Sequence, residues 1–291
     1  DPVSDTSGES DIIIIRKQLI KVRDILKDSY SAKKEERDDV QTDAETEYPT
    51  ISEHFKRIGL NVSNNILWQD YNDSLALTPN TALSTYCYCP TTLTIDHDKK
   101  RLKATSHYLL KSNILKKAIL FDIPTPKTSH YQKTSIALLE SDSFTYPVYI
   151  KPDNASDGIG IIRCESKQKL AEVLASYPYM PFLVQEEICA DHFLSLHFHV
   201  QNNKAVHILT AKQILEGNST IGNQTPYPHT ISKDVVERFN RLAQQLVNEG
   251  IKEYFGFDLA ALKINGEYNF ILMECNPRYT FATYPAIIAK K

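Results

Sequence analysis

The chain has 291 residues, of which 42% are hydrophobic and 24% charged, and its net charge is −3 at pH 7. This balance is typical of a soluble globular protein with one large or two to three small domains, and it gives no global positive field for nucleic acid or anionic membrane. No apolar run approaches the ~18 residues that a membrane span requires. Among five cysteines only Cys87 and Cys89 are close, without a second Cys/His pair at zinc spacing. We therefore expect free thiols and a cytoplasmic protein.

The N-terminal third carries weak signals. Residues 11–30 predict a short strand or helix start followed by an amphipathic helix, and the polar segment 31–47 predicts a solvated linker or a mobile loop. Two short apolar runs predict strands, at residues 75–77 and 86–88. Residues 101–122 predict a helix that ends at Ile123-Pro124-Thr125-Pro126, because proline cannot continue a helix.

The pattern becomes clearer beyond residue 145. In chain order it predicts a strand at 146–152, a glycine-containing loop and strand at 158–162, a helix at 166–176, a strand at 182–188, a hairpin of 192–200 and 205–209, a loop at 216–229 and a helix at 232–250. The pair Asn202-Asn203 marks the hairpin turn. His197, His199 and His207 fall in this apolar hairpin, where we expect hydrogen-bonded, half-buried residues rather than a metal cluster.

The C-terminal segment carries polar residues at alternate positions of an aliphatic run. Glu274, Asn276 and Arg278 should project together at a strand end, because alternate residues of a strand share one face. Asn265-Gly266 is a hairpin signal, and such a hairpin would bring Asp258 beside Glu274. Two carboxylates and an amide oxygen form a set suited to Mg²⁺. The alternative is an edge hairpin with solvated charges.

A second constellation follows the strand at 146–152. Lys151 stands near its end, and the next loop contains Ser156, Gly158 and Gly160. Small residues let backbone N–H groups approach phosphate oxygens, while the lysine supplies the counter-charge. The loop lacks the Gly-Lys-Ser/Thr of a P-loop, so the alternative is a hairpin with a solvated tip. A phosphate-type loop followed by an acidic strand predicts a nucleotide site between two lobes.

The order of these features resembles the ATP-grasp superfamily over about residues 105–291. The resemblance implies an α/β (α+β) protein with the ATP-grasp fold, in which two α+β lobes clasp ATP. The lobes would be residues 105–188 and 189–291, preceded by a smaller pre-ATP-grasp α/β domain in residues 1–104. The chain departs from the family pattern at Leu110, where an acidic residue often stands, and its N-terminal third lacks a clear glycine-rich turn.

The resemblance also implies the nucleotide contacts. Lys111 would touch the adenine side and the α-phosphate, Lys151 would reach the α- and β-phosphates, and Lys212 would reach the γ-phosphate as in some family members. The phosphate lid would contain Ser156, Gly158 and Gly160. Adenine would meet the hinge, which we define as residues 185–188, without deciding between Gln185, Glu186, Glu187 and Ile188. An acidic ribose contact is often found at the position of Asp191 or His192.

The remaining assignments concern metal and reaction. Asp258, Glu274 and Asn276 match the magnesium ligands, and Arg278 matches the arginine that steadies the transferred phosphoryl group or the acyl phosphate. The implied activity is an ADP-forming carboxylate–amine ligase that uses ATP and Mg²⁺, or Mn²⁺ in its place.

The implied partners are small carboxylate and amine substrates, with amino acids favoured, and neither nucleic acid nor membrane. The oligomeric state stays open, although homodimers are common among such enzymes. Two alternative functions are an ATP-grasp kinase acting on a small-molecule hydroxyl and a non-catalytic nucleotide-binding regulatory module.

Overall fold

The computed structural model describes residues 12–16, 65–69, 98–132, 143–155, 158–179, 181–217, 219–280 and 282–283. The chain forms two compact units, Asp1–Ala76 and Leu77–Lys291. In the first unit, β1 (Ile12–Arg16) and β2 (Asn65–Gln69) form a parallel pair. The following sequence features lie outside the described residues: the polar segment 31–47, the predicted strands at 75–77 and 86–88, and the pair Cys87 and Cys89.

Two short helices occupy the region where the sequence predicts one long helix. Helix α1 spans Lys99–Tyr108 and helix α2 spans Lys111–Ile119. The break lies at Leu110, whose backbone is extended and which offers no side-chain cap. The Asp153 carboxylate supplies that cap from another part of the chain, because its Oδ1 accepts the backbone N–H of Ser112 at 2.8 Å.

A four-stranded antiparallel sheet, here called the small sheet, follows these helices. Its spatial order is β3, β6, β4, β5, and the strands are Thr128–Tyr131 (β3), Val148–Pro152 (β4), Ile162–Cys164 (β5) and Phe182–Glu186 (β6). Helix α3 (Lys167–Leu174) begins after Ser166, whose hydroxyl oxygen accepts the Lys169 N–H. The side chains of Leu170 and Leu174 are buried in the core of this sheet.

A five-stranded antiparallel sheet, the large sheet, completes the second unit. Its spatial order is β11, β10, β7, β8, β9, and the strands are His192–Gln201 (β7), Lys204–Glu216 (β8), Ser219–Gln224 (β9), Tyr254–Ile264 (β10) and Glu267–Asn276 (β11). Helix α4 (Lys233–Glu249) begins after Ser232 and ends at Gly250, whose φ of 126° favours glycine. The predicted turn residues Asn202, Asn203 and Asn265 all have positive φ.

The two faces of the large sheet differ in character. On one face the main core joins this sheet to α1, α2 and α4, with residues such as Leu194, Leu196, Leu242, Leu246 and Leu272 at its centre. The opposite face carries Ser195, Gln213, Asp258 and Glu274. Because side chains alternate along a strand, burial of the leucines directs the intervening polar residues to this second face.

One segment differs from its expected secondary structure. Strand β9 pairs with β8 inside the segment 216–229 that the sequence predicts as a loop, because an edge strand needs no continuous apolar run. Helix α1 packs within the second unit, where Arg101 pairs with Glu253 at 3.1 Å. The domain boundary at residue 104 stays a prediction. None of the helices in the described part of the chain has the length and hydrophobicity of a membrane span.

Candidate functional site

A cavity of about 470 Å³ lies between the small and large sheets. It is lined by these residues singled out in the sequence: Lys111, Lys151, Gly158, Gln185, Glu186, Ile188, Asp258, Glu274, Asn276 and Arg278. They come from α2, from strands of both sheets and from the connections that follow these strands. The cavity therefore gathers cationic, anionic and amide groups that are up to 167 positions apart in the sequence, from Lys111 to Arg278.

A buried aspartate brings the two lysines together. Asp153 follows β4 and is fully buried, and its carboxylate accepts the Ser112 N–H and the Ser112 hydroxyl at 2.8 and 2.6 Å. The Asp153 carbonyl oxygen also accepts the Lys111 N–H at 3.0 Å. His130 Nε2 lies 3.0 Å from the same carboxylate. Asp153 thus joins the start of α2, which carries Lys111, to the end of β4, which carries Lys151.

Both lysines are buried beside Glu274. Lys111 Nζ lies 3.1 Å from Glu274 Oε2 and donates to the Ala155 carbonyl oxygen at 2.6 Å. Burial lowers the pKa of Lys151 to about 8, because the desolvation of its ammonium group and repulsion from Lys111 outweigh the attraction of Glu274. Two partly compensated positive charges at one end of a cavity form a site for an anionic group such as a phosphate chain.

The predicted carboxylate pair lies opposite these lysines. Asp258 and Glu274 are direct partners across β10 and β11, as the Asn265-Gly266 hairpin predicts. Asp258 accepts Gln213 Nε2 at 3.0 Å and Asn276 Nδ2 at 2.9 Å. Burial, followed by the charge of Glu274, raises the pKa of Asp258 well above its usual value. Burial also raises the pKa of Glu274, but Lys111 and then Lys151 outweigh it, so the pKa is lowered.

A β-bulge shapes the acidic side of the cavity. The pairing of β10 with β11 shifts between Asp258 and Leu259, so that Met273 is an extra residue on β11. Met273 and Glu274 both line the cavity although they are consecutive. A bulge re-aims a side chain in this way and is common beside active sites.

The acidic residues fit a magnesium ion. Burial and the adjacent charge of Glu274 raise the pKa of Asp258, so a divalent cation between the two carboxylates would relieve their repulsion, and the Asn276 amide oxygen is a further hard ligand. The described residues contain no group of three His, Cys, Asp or Glu side chains arranged to hold a metal. Mg²⁺ typically takes one or two carboxylates and completes its ligands with water and substrate phosphates, which matches this incomplete protein set.

The hinge presents its members to the cavity unequally. Gln185 and Ile188 line the cavity, and Gln185 is fully buried. Glu186 also lines it, but its carboxylate accepts Lys127 Nζ at 2.9 Å and the Thr145 N–H at 2.7 Å, and these bonds lower its pKa. The structure therefore favours the amide of Gln185 over the acidic side chains as the polar group that meets a ligand here.

Glycines shape the loop between β4 and β5. Gly158 lines the cavity with a φ of 73°. Gly160 has the same φ but does not line the cavity: an added Cβ would lie 2.7 Å from the Tyr179 ring and 2.8 Å from Pro152. Gly160 therefore permits close packing under the loop rather than ligand approach. The predicted lid residue Ser156 lies outside the described residues.

Besides Gly160, four of the residues assigned by resemblance do not line the cavity: Glu187, Asp191, His192 and Lys212. Glu187 turns to Arg163, whose Nε lies 2.6 Å away, and Asp191 accepts the Lys263 N–H at 2.6 Å. Lys212 pairs in register with the core residue Leu194, so it lies on the helix-covered face of the large sheet. There it lies near His192, whose pKa is lowered by burial and then by Lys212.

Some residues of the cavity carried no signal in the sequence. Gln213 takes the cavity-facing position next to Lys212, and Ser195 lies opposite Asp258 in the pairing of β7 with β10. Both are uncharged polar residues in apolar strands, which resemble ordinary solvent-facing positions when read alone. Asp153, which is buried beside the cavity and does not line it, is only the first residue of a loop in the sequence.

His197 lies buried beneath the segment that follows β11. Its Nε2 lies 2.8 Å from Ser195 Oγ, and its Nδ1 makes a longer contact of 3.5 Å with Thr280 Oγ1. The ring fits over Gly256, where an added Cβ would come within 3.2 Å of Nδ1. Burial, with a smaller effect of His207, lowers the pKa of His197 to about 4. The imidazole is therefore neutral at physiological pH.

Acid should destabilise the protein through His197. An unfolded chain protonates this residue near its ordinary pKa of about 6.5, whereas the folded chain resists protonation until about pH 4, so stability is present above pH 6.5 and lost as pH falls to 4. The loss expected at pH 4.5 is about 2–3 kcal/mol. Urea unfolding of wild type and His197→Gln at pH 7 and 4.5 measures it. A variant with the wild-type pH dependence would contradict the prediction.

Solved structures share this arrangement of two sheets. Carboxyaminoimidazole ribonucleotide synthase from Aspergillus clavatus, complexed with ATP, aligns with a TM-score of 0.52 at 17% identity, over 62% of this chain and 47% of that chain. N5-carboxyaminoimidazole synthetase from Staphylococcus aureus, complexed with ADP, aligns with a TM-score of 0.54 at 12% identity, over 62% and 48%.

A third solved structure is the biotin carboxylase domain of Hydrogenobacter thermophilus 2-oxoglutarate carboxylase. It has a TM-score of 0.51 at 16% identity over 62% of this chain and 42% of that chain, so the chain matches less than half the length of these structures. No curated protein sequence matches the chain significantly. A family model described as an ATP-grasp domain matches residues 108–282. The chain therefore belongs to the ATP-grasp family.

Proposed function

We propose that this protein is an ATP-dependent, ADP-forming ligase that joins a small carboxylate, such as an amino acid, to an amine through an acyl phosphate. One observation carries the proposal: a single cavity holds three cationic side chains, Lys111, Lys151 and Arg278, against the carboxylate pair Asp258 and Glu274. This combination suits a triphosphate with its divalent cation and leaves a separate cation for a reacting group.

The nucleotide is held by residues of both sheets. The triphosphate lies against Lys111 and Lys151, which neutralise its charge, while the base meets Gln185 and Ile188 at the hinge. Asp258, Glu274 and Asn276 would hold Mg²⁺, which would supply charge neutralisation at the phosphates. Lys212 has no part in this proposal, because its side chain lies on the other face of the sheet.

The chemistry has two steps. A carboxylate oxygen of the first substrate attacks the γ-phosphorus, the bond to the β,γ-bridging oxygen breaks, and ADP leaves. The amine then attacks the carbonyl carbon of the acyl phosphate, phosphate leaves, and the nitrogen loses a proton as the amide forms. Arg278 binds the phosphoryl oxygens in both steps, and Lys151 stabilises charge that develops on the phosphates. No covalent enzyme intermediate is needed.

The ligands bound in the aligned structures support the proposal that this chain binds a nucleotide. The structures were determined with ATP, with ADP, and with MgADP and bicarbonate. Bicarbonate resembles a carboxylate in having an anionic oxygen that can accept a phosphoryl group. The acid substrate of this chain is therefore sought among amino acids, other small carboxylates and bicarbonate.

Hydroxylamine provides a test that does not require knowledge of the amine. Hydroxylamine captures an acyl phosphate as a hydroxamate, so purified protein with Mg-ATP and a panel of acids should release ADP and form a hydroxamate with the correct acid. Amines are then tested with that acid. Glu274→Ala serves as the inactive control, because it removes one carboxylate of the pair.

Other outcomes would replace the proposal. ADP release that requires a hydroxyl compound and yields no hydroxamate would identify a kinase. Saturable ATP binding without ADP release, across all acids and amines in the panel, would favour a nucleotide-binding regulatory module. Either result would overturn the ligase assignment and leave the nucleotide site intact.

A further inference from the structure

A chain of hydrogen bonds links the hinge to strand β3. Gln185 Nε2 donates to Thr128 Oγ1 at 2.8 Å, and Thr128 Oγ1 donates to the Pro126 carbonyl oxygen at 2.8 Å. Gln185 and Thr128 are partners across β3 and β6. Gln185 is only 2% exposed and lines the cavity, whereas Thr128 does not line it. The Gln185 amide therefore has Thr128 on one side and the cavity on another.

The number of available protons fixes the orientation of this amide. The Pro126 carbonyl oxygen can only accept, and Thr128 has a single hydroxyl proton, which it gives to Pro126. Thr128 Oγ1 can then only accept from Gln185, so the atom of Gln185 that faces it must be the NH₂ group. A flipped amide would set two acceptors against one proton and leave one of them without a hydrogen bond.

This orientation directs the Gln185 carbonyl oxygen, Oε1, away from Thr128. Within the described parts of the chain, Oε1 has no hydrogen-bond donor, yet it is not an enclosed unsatisfied atom. Because the rest of the residue is buried, Oε1 opens onto the cavity that its side chain lines. The hinge thus offers a hydrogen-bond acceptor. A purine with a 6-amino group can donate to this oxygen, whereas a 6-oxo purine would meet it with a second acceptor.

We propose that Thr128 is a positioning residue that sets nucleobase choice by holding the Gln185 amide with its oxygen towards the cavity. The inference rests on nucleotide binding in the proposed function and adds a residue that does not touch the nucleotide. Selectivity arises because a site with a fixed acceptor leaves an unpaired polar group when the wrong base binds.

ATP and ITP form the matched ligand pair, because their bases differ in the 6-amino and 6-oxo groups and the associated ring proton. Isothermal titration with Mg²⁺ measures both Kd values for each protein variant. Wild type should prefer ATP. Thr128→Val removes the hydroxyl at nearly constant volume, so the amide is free to turn, and the preference for ATP should fall about tenfold, the equivalent of one hydrogen bond. Thr128→Ser retains the hydroxyl and should retain the preference.

Gln185→Glu provides the decisive background for the same substitution. A carboxylate has two acceptor oxygens and no donor, so turning it changes nothing. Thr128→Val should therefore leave the ATP to ITP ratio unchanged within about twofold in the Gln185→Glu protein, whereas it shifts the ratio in the wild-type background. The ratio is internal to each variant, so a general loss of stability does not affect it.

Three results would overturn the inference. Equal weakening of ATP and ITP binding by Thr128→Val would show that the hydroxyl does not set base choice. Equal affinity of wild type for ATP and ITP would show that there is no choice to set. Failure of both nucleotides to bind wild type would overturn the proposed function and this inference together, which distinguishes it from the first two results.

Discussion

Glu274→Gln should lower ADP formation by roughly a thousandfold or more, the largest effect expected of any single substitution in this chain. The change keeps the volume of the side chain but removes one of two carboxylates in the acidic pair, and it leaves Lys111 without its ion-pair partner at 3.1 Å. The measurement is the initial rate of ADP release with the acid identified by the hydroxylamine assay, as a function of Mg²⁺ concentration. The Glu274→Gln variant should need a higher Mg²⁺ concentration than wild type to reach half of its own maximal rate.

Glu267→Gln is the matched control for this variant. Glu267 begins the same strand β11, is exposed and lies away from the cavity, so the same change of charge should alter the rate by less than about twofold. Asp258→Asn should resemble Glu274→Gln, because the two carboxylates face one another across the hairpin. A Glu274→Gln protein with more than about a tenth of wild-type activity would remove the acidic pair from the mechanism.

Lys151→Met should weaken catalysis while stabilising the fold. The ammonium group of Lys151 is buried, and its pKa of about 8 shows that the folded protein disfavours its charge. Removing that charge should raise the free energy of unfolding by up to about 3 kcal/mol at pH 7. The difference in the free energy of unfolding between the variant and wild type should be largest below pH 8. It should disappear as pH rises to 10.5, the pKa of lysine in the unfolded chain.

In the Lys151→Met variant, the kcat/KM for ATP should fall by roughly a hundredfold, because a phosphate contact is lost. Urea unfolding and steady-state kinetics on one preparation compare the two effects. A variant that is both less stable and less active would indicate general damage and contradict the assigned role of Lys151.

The same lysine gives ATP binding a pH dependence with a definite sign. Only the protonated ammonium attracts phosphate, so the Kd for ATP in the free protein should be flat below pH 8 and should rise above it, by up to about tenfold per pH unit. Lys151→Arg keeps its charge throughout this range and should give a flat profile, although binding is weaker because the two side chains differ in shape. If the Kd of wild type and the Kd of Lys151→Arg changed in parallel with pH, a group other than Lys151 would be responsible for the pH dependence.

Local sequence signals predicted the parts of the site that depend on neighbouring residues. The pairing of Asp258 with Glu274 follows from the Asn265-Gly266 turn, since a short hairpin loop fixes strand register. Helix α4 follows from its apolar periodicity, and Ser232 and Gly250 mark its ends. These features could be predicted because the residues that determine them lie within a few positions of one another.

The assignment of Lys212 depended on register that no local signal provides. Between His197 and Phe198 the pairing of β7 with β8 shifts, so that Ile208 is an extra residue on β8. A bulge reverses the alternation of faces for every residue beyond it. Gln213 consequently lines the cavity, and Lys212 lies on the other face. Resemblance could not locate this shift because it transfers residue types and approximate spacing, not pairing.

The sequence by itself determined the two hairpins, because turn chemistry and strand alternation are local properties, and its resemblance to the ATP-grasp superfamily indicated the class of fold and the residue types of a candidate nucleotide and metal site. Tertiary structure alone decided which of those residues meet. Asp153 joins Lys111 to Lys151 across 40 positions, and Thr128 orients Gln185 from a strand 57 positions away. Such contacts depend on which buried polar groups satisfy one another once the core has formed, and this is a property of the packed chain rather than of any segment.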